Sequence, residues 1–357
     1  MRLIIDDKIP YIHGQAERLG EAIYLPGGEI TADDVRHADA LIIRTRTRCN
    51  RQLLEGSSVK FVATATIGYD HIDTAYLASA GIGWTNCPGC NARSVAQYVV
   101  AALWRLQAEG HITLQGSTVG IVGVGNVGRE VSRAVSALGC HTLHCDPPRA
   151  EREGDAGFVP LSTLVSEADI ITLHVPLATS GAHATHHMAD DAFFRSLTRR
   201  PIFINAARGE VMHTQAVKNA LREGHIRAAV IDTWENEPHI DRELLSMVNI
   251  ATPHIAGYSA DGKANGTRMA LQAVARHFGL TKTFNVSAPP LSPLYPGYFA
   301  DVMGRMPDID TPEHSPLFCY DPMVDNLRLK QAPGAFEILR GNYPLRREDR
   351  AKPDDQE

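Results

Sequence analysis

Three residues in the middle of this chain carry side chains suited to moving a proton and holding an anion: Arg208, Glu237 and His254. Each falls just past a segment that reads as the end of a strand. Arg208 follows Ile204-Asn205-Ala206-Ala207, Glu237 follows Asp232-Thr233-Trp234-Glu235-Asn236, and His254 follows Ala251-Thr252-Pro253. An imidazole can take a proton near neutral pH. A carboxylate beside it can orient the ring and stabilise its charged form. A guanidinium can bind a carboxylate and polarise a neighbouring oxygen. Together they suit holding an anionic substrate and taking a proton from it. Taken singly, such residues are most often surface charges or structural. Their shared place beyond strand ends, where ligands of open α/β sheets bind, gives the set its weight.

The stretch Thr118-Val119-Gly120-Ile121-Val122-Gly123-Val124-Gly125-Asn126-Val127-Gly128 supplies a place for a dinucleotide. An apolar β-branched run turns through glycines spaced G-x-G-x-x-G. It leaves as Arg129–Leu138, whose apolar positions recur at helical spacing. Gly123 allows the tight turn, Gly125 lets backbone approach a pyrophosphate, and Gly128 allows close helix–sheet packing. The helix N-terminus offers N–H groups and partial positive charge to phosphates. A second strand, Cys140–Cys145, closes on Asp146, where an acid can accept hydrogen bonds from both ribose hydroxyls and repel a 2′-phosphate. NAD rather than NADP follows, with Arg149 near enough to weaken the preference. The pattern alone is weak, but the ordered strand, helix, strand and acid make it specific.

Alternating strands and helices fill the rest of the first 280 residues. Strands are expected at Leu3–Ile5, Ala40–Ile43, Phe61–Thr64 and Gly83–Thr85, then at Ile170–Pro176, Ile202–Asn205, Ala228–Asp232 and Val248–Ala251. A long helix is expected over Asn91–Gln107. This predicts an α/β protein: a small flavodoxin-like parallel sheet, a Rossmann-type doubly wound cofactor domain, and a small C-terminal α+β module after a proline-rich linker. The boundaries are residues 1–90 with 257–280, then 91–256, then 281–357.

With 357 residues, 44% hydrophobic and 21% charged, the composition is that of an ordinary globular protein. A net charge of −6 argues against nucleic acid as a partner. No signal-peptide-length or membrane-spanning apolar run is evident, so a cytoplasmic protein without membrane association is expected. The six cysteines are scattered, which reads as reduced thiols, and Cys87-Pro88-Gly89-Cys90 lacks a second pair. His183, His186 and His187 cluster without accompanying ligands at metal spacing, so no metal is expected. Arg44-Thr45-Arg46-Thr47-Arg48, after a strand, suggests an anion site. Asp70 is a plausible helix N-cap with Asp73 at N3.

Asn205-Ala206-Ala207-Arg208-Gly209, Asp232–Pro238 and Thr252–Gly257 resemble the signatures of the NAD-dependent D-2-hydroxyacid dehydrogenases. With the glycine-rich turn, the resemblance covers roughly residues 1–280. Thr64–His71, Cys87–Ala92, Pro253–Ser259 and the C-terminal module resemble one subgroup that acts on a phosphorylated acid and dimerises through that module. The resemblance implies an enzyme with Arg208, Glu237 and His254 as catalytic residues. It implies cofactor contacts at Gly123, Gly125, Asn126, Val127, Gly128, Asp146, Val175, Ala207, Asp232 and Gly257. Thr45, Thr66 and Tyr258 match substrate positions, and Arg44 and Arg46 are added on grounds of charge. The implied partners are NAD, a small phosphorylated 2-hydroxy acid, whose phosphate Arg346 or Arg347 could also hold, and a second copy of the chain. Tyr69 and Gln97 depart from the pattern. A dehydrogenase for another acid, such as phosphoglycerate or glycerate, and an NAD-sensing regulator on the same fold remain alternatives.

Overall fold

The aliphatic runs form two all-parallel sheets in a computed structural model that describes residues 1–291, 293–294, 297–302 and 315–348. The first sheet contains β1 (Arg2–Asp6), β2 (Glu21–Leu25), β3 (Ala40–Ile43), β4 (Phe61–Thr64) and β5 (Gly83–Thr85), in the order β2-β1-β3-β4-β5. This is the flavodoxin-like order. Strand alternation sends Leu3, Ile5, Ala40 and Ile42 to one buried layer and Ile4, Leu41, Ile43 and Val62 to the other. Both faces are therefore covered, as a parallel sheet requires. β2 was not foreseen. It is a half-exposed edge strand, Glu-Ala-Ile-Tyr-Leu, so its sequence lacks the continuous apolar run of its neighbours.

The second sheet contains β6 (Thr118–Val122), β7 (His141–Cys145), β8 (Ile170–Leu173), β9 (Ile202–Asn205), β10 (Ala228–Ile231) and β11 (Ile250–Ala251), in the order β11-β10-β9-β8-β6-β7. Beyond β7, Val159 N–H donates to the His144 carbonyl at 2.8 Å, one link of a further strand that does not extend. The chain reverses direction across the sheet between β6 and β8. Ligands of such sheets bind beyond the carboxyl ends at this switch point. The Ala92–Ala108 helix packs on the Asn126–Ala137 helix over Val119, Ile121, Ile202, Ile204 and Val230. The opposite layer holds Phe203, Ala229, Ile231 and the Thr214–Glu223 helix.

The chain divides into Met1–Asn91 with Ser259–Pro290, and Ala92–Tyr258 with the described residues between Leu291 and Glu348. Of the expected C-terminal module, residues 281–290 group with the first unit, and the described residues from Leu291 to Glu348 group with the cofactor unit and include four short α-helices. The reason lies in packing. Phe299, Cys319, Tyr320 and Tyr343 enter the same core as the Ala92–Ala108 helix. The Pro322–Gln331 helix lies along β11, where Asn326 Oδ1 accepts from Ala251 N–H at 2.9 Å. An open sheet edge is thus closed by a polar side chain. The tail from residue 349 onward lies outside the described residues.

Candidate active site

The glycine turn has the geometry of a phosphate cradle. Gly123 sits at φ +86°, where an L side chain is strained, and a Cβ there would meet the His174 carbonyl at 2.7 Å and Val175 at 2.8 Å. A Cβ on Gly128 would run into the Gly123 carbonyl oxygen, so this glycine seats the helix against the turn. Gly125 differs: a Cβ there meets nothing within 4 Å. It is the N-cap of Asn126–Ala137, no side chain caps that end, and Gly125 and Asn126 are exposed, with Val127 half-buried. The first-turn N–H groups therefore face open space of the kind a pyrophosphate fills. Replacing Gly125 by alanine should leave the melting temperature unchanged and weaken NAD binding about tenfold by calorimetric titration. Unchanged affinity would remove the turn from the cofactor site.

Asp146 ends β7 and accepts from Val124 N–H at 2.8 Å and Arg149 N–H at 3.1 Å, locking the turn while N-capping Pro147–Glu153. Each carboxylate oxygen retains capacity for a hydroxyl donor. Arg149 is engaged elsewhere. It pairs with Glu153 at 2.6 Å, and its Nη1 donates to the Val124 carbonyl at 2.5 Å. Its charge is committed to that pair, which keeps the unphosphorylated ribose favoured. Val175, half-buried, lies against Gly123. The residues present fit NAD.

Three loops beyond β9, β10 and β11 carry the proton-moving set. Asn205 shapes the first: its amide donates to the Arg208 carbonyl at 2.9 Å and its Oδ1 accepts from Ala207 N–H at 3.1 Å. Arg208 is half-buried and its Nη1 donates to the Ala207 carbonyl at 2.8 Å. A Cβ on Gly209 would strike the Trp234 carbonyl, so a glycine lets this loop meet the next one closely. In that second loop Glu237 Oε1 accepts from Trp234 N–H at 2.9 Å. Its Oε2 accepts from His254 Nδ1 at 2.8 Å. Burial works to raise the Glu237 pKa, but hydrogen bonding and charge from His254, the Trp234 N–H and the Arg340 charge outweigh it and hold the carboxyl below its ordinary range.

His254 has φ 56°, a left-handed conformation uncommon for a residue with a Cβ. The surroundings hold it there. His254 N–H donates to the Asp232 carbonyl at 2.8 Å. Asp232 Oδ1 accepts from Ile255 N–H at 2.7 Å and Thr252 Oγ1 at 2.6 Å, and Oδ2 accepts from Ala256 N–H at 3.0 Å. From the other side Arg346 donates to the Ile255 carbonyl at 3.2 Å and to the Ala256 carbonyl. The peptide units after His254 are gripped through both their N–H and C=O groups. Asp232, expected as a cofactor contact, is 1% exposed, and its demonstrated work is this bracing. Burial pushes its carboxyl upward against the pull of His254 and its hydrogen-bond donors. Ala207 is buried, and Gly257 and Tyr258 are half-buried at the end of the same loop.

Several expectations are corrected. Arg44 was added as an anion-binding residue, but its Nε and Nη2 both donate to the buried Asp6 carboxylate at 3.1 Å. β3 ends at Ile43 and residues 44–47 turn. Thr47 is buried and donates to the Gly27 carbonyl at 2.7 Å, whereas Thr45 and Arg46 are exposed. Arg346, considered for a phosphate, is fully buried in the clamp, with Nε donating to Gln97 Oε1 at 2.9 Å. The Gln97 departure from pattern is thus the seat of that arginine. Arg347 is 4% exposed, its guanidinium 5.4 Å from the Tyr298 ring centroid. Asp73, not Asp70, N-caps Thr74–Ser79. Thr66 donates to the Gly68 carbonyl at 3.0 Å beside Thr64 in the first unit. All six cysteines are buried and none forms a disulfide, with burial pushing the Cys87 thiol up to about 12. Among the described residues no group of three His, Cys, Asp or Glu could hold a metal, and His187 pairs with Glu235 at 2.6 Å. Sequence reasoning missed Arg340, whose Nη1 lies 3.8 Å from Glu237 Oε2. Its helix was assigned to a separate module, and no local signal marked it.

The profile described as the NAD binding domain of D-isomer specific 2-hydroxyacid dehydrogenases matches residues 91–256. An erythronate-4-phosphate dehydrogenase of Bacteroides thetaiotaomicron is 52% identical over 98% of both chains. The chain belongs to the erythronate-4-phosphate dehydrogenase family. Another member, from Bacteroides fragilis, is 51% identical, again over 98% of each chain. A solved D-lactate dehydrogenase of Aquifex aeolicus, 22% identical, shares the fold with a TM-score of 0.63, covering 81% of this chain and 100% of its own. The family is an NAD-dependent branch of the D-2-hydroxyacid dehydrogenases, and NAD is the cofactor of this chain.

Proposed function

We propose that this chain oxidises 4-phospho-D-erythronate to (R)-3-hydroxy-2-oxo-4-phosphobutanoate, a step towards pyridoxal 5′-phosphate. The observation that carries the reaction class is the His254–Glu237 pair, closed at 2.8 Å in the same unit as the glycine cradle. The substrate rests on the name shared by relatives that align over almost the whole chain. Bound NAD supplies the hydride acceptor for C2. Glu237 holds His254 by Nδ1, which presents Nε2 to the C2 hydroxyl as the base. The proton passes from that hydroxyl to Nε2, and Glu237 stabilises the imidazolium that results. Arg208 binds the substrate carboxylate and polarises the C2 oxygen. Thr45, Thr66, Arg46 and Tyr258 are proposed substrate contacts, and Val175, Ala207, Asp232 and Gly257 proposed cofactor contacts.

The protein acts as a homodimer in this reading. Phe318, Val324, Leu327 and Ile338 are large apolar side chains exposed on the C-terminal helices, which supports a covering partner. A cytoplasmic location accords with six cysteines of which none forms a disulfide. No helix among the described residues is long and apolar enough to cross a membrane.

A panel of 2-hydroxy acids with and without a terminal phosphate tests the substrate, followed by NADH absorbance with a 2-oxo acid acceptor added in parallel. We expect kcat/KM for 4-phosphoerythronate to exceed that for erythronate by at least about 100-fold, since the charge-assisted hydrogen bonds that a terminal phosphate accepts are lost in the latter. Equal activity on erythronate would overturn the substrate while keeping the dehydrogenase.

A further inference from the structure

One cation reaches the proton-moving pair from a part of the chain outside its three loops. Arg340 lies in the Phe336–Gly341 helix. Its Nη1 is 3.8 Å from Glu237 Oε2, the oxygen that also receives His254 Nδ1 at 2.8 Å. Its Nε donates to the Tyr258 hydroxyl at 3.2 Å, and the guanidinium carbon stands 5.9 Å from that ring's centroid. The side chain is only 24% exposed. A guanidinium in this place is permanently charged and planar. We propose that Arg340 is a positioning residue for the His254–Glu237 pair, a fixed cation that orients the Glu237 carboxylate against His254 Nδ1 and shares its charge with the imidazole. This inference rests on the reading of His254 as the base.

The charges around the pair give the direction of the effect. Glu237 faces His254, the Trp234 N–H and Arg340. Arg340 faces Tyr258, Glu237 and Glu337. His254 also feels the buried Asp232. Two carboxylates therefore favour the imidazolium, and Arg340 is the cation set against them. Without Arg340 the Glu237 charge acts on the imidazole undivided, and the protonated ring gains stability. Arg340 also ties Tyr258 to Glu237, which fixes the end of the loop that carries His254.

The test uses the full chain with NAD and 4-phosphoerythronate. Arg340→Met should lower kcat about tenfold, leave KM and the NAD dissociation constant within about twofold, and move the acid limb of the kcat/KM pH profile upward by about one unit. Arg340→Gln, which keeps a polar group for Tyr258, should shift the limb in the same way and reads the effect if the Met variant fails to fold. Arg340→Lys should return the limb towards its original position. An unmoved limb in both neutral variants would overturn the proposal. So would a Lys variant as impaired as Met, which would indicate shape rather than charge. A rise in KM confined to phosphorylated acids would overturn it too, making Arg340 a substrate contact. A parent enzyme with no acid limb would instead overturn His254 as the base, and is separable because it appears before any Arg340 variant is made.

Discussion

Replacing His254 by alanine lowers kcat by about 10²–10⁴-fold while NAD affinity stays within about twofold. The split follows from where the residue stands. His254 is held through Nδ1 by Glu237, and the glycine turn proposed to hold the cofactor is built from other side chains and from backbone. Its φ of 56° complicates alanine, which would carry a Cβ into the left-handed region with no hydrogen-bonding group to compensate. His254→Asn is therefore the better probe, because asparagine tolerates that conformation. Both variants should lose turnover alike. Turnover within tenfold of the parent in the asparagine variant, read from NADH formation, would remove His254 from the acid–base role.

The second large effect is on stability. Arg346→Met should reduce the free energy of unfolding by about 3–5 kcal/mol, read as a lower midpoint in urea. Arg346 is fully buried, and its guanidinium nitrogens donate to Gln97, Ser94, Tyr343 and the carbonyls of Ile255 and Ala256. Its flat face stands 4.4 Å from the Tyr320 centroid. Methionine fills much of the volume but leaves the Gln97 oxygen without its arginine donor and strips one of two donors from each carbonyl, Ile255 keeping the Tyr258 N–H and Ala256 the Ser94 hydroxyl, each at 2.9 Å, in a site closed to water, which is the costly direction of such a change. The loss should reach activity as well, because the same carbonyls belong to the loop after His254. A midpoint equal to the parent's would show that the clamp contributes nothing to holding the loop.

The chemistry was legible in the sequence because it is carried by short, local constraints. A G-x-G-x-x-G turn between strand and helix works only with glycines at those places, and Gly123 and Gly128 are where a Cβ has no room. Arg208, Glu237 and His254 each follow an apolar strand closely, so strand ends alone located them. The central strands were legible for a similar reason: a strand buried on both faces must be apolar throughout, as β3, β4 and β9 are. β2 escaped because an edge strand needs no such run.

What the tertiary structure decided concerns partners far apart in sequence. Arg44 and Asp6 are 38 residues apart, and nothing local says that the guanidinium meets a buried carboxylate rather than an anionic ligand. Arg346 reaches Gln97 across 249 residues, and a lone arginine near the end of a chain carries no mark of full burial. The C-terminal segment reads as a module of its own after its prolines, yet its aromatic residues complete the core around the Ala92–Ala108 helix. By itself, then, the sequence determined the central strands and where Arg208, Glu237 and His254 stand beyond them, because turns and strand ends are set by neighbours a few residues away. Which charges are spent on the fold and which face the reaction was decided by the tertiary structure, because ion pairing depends on distances that only packing sets.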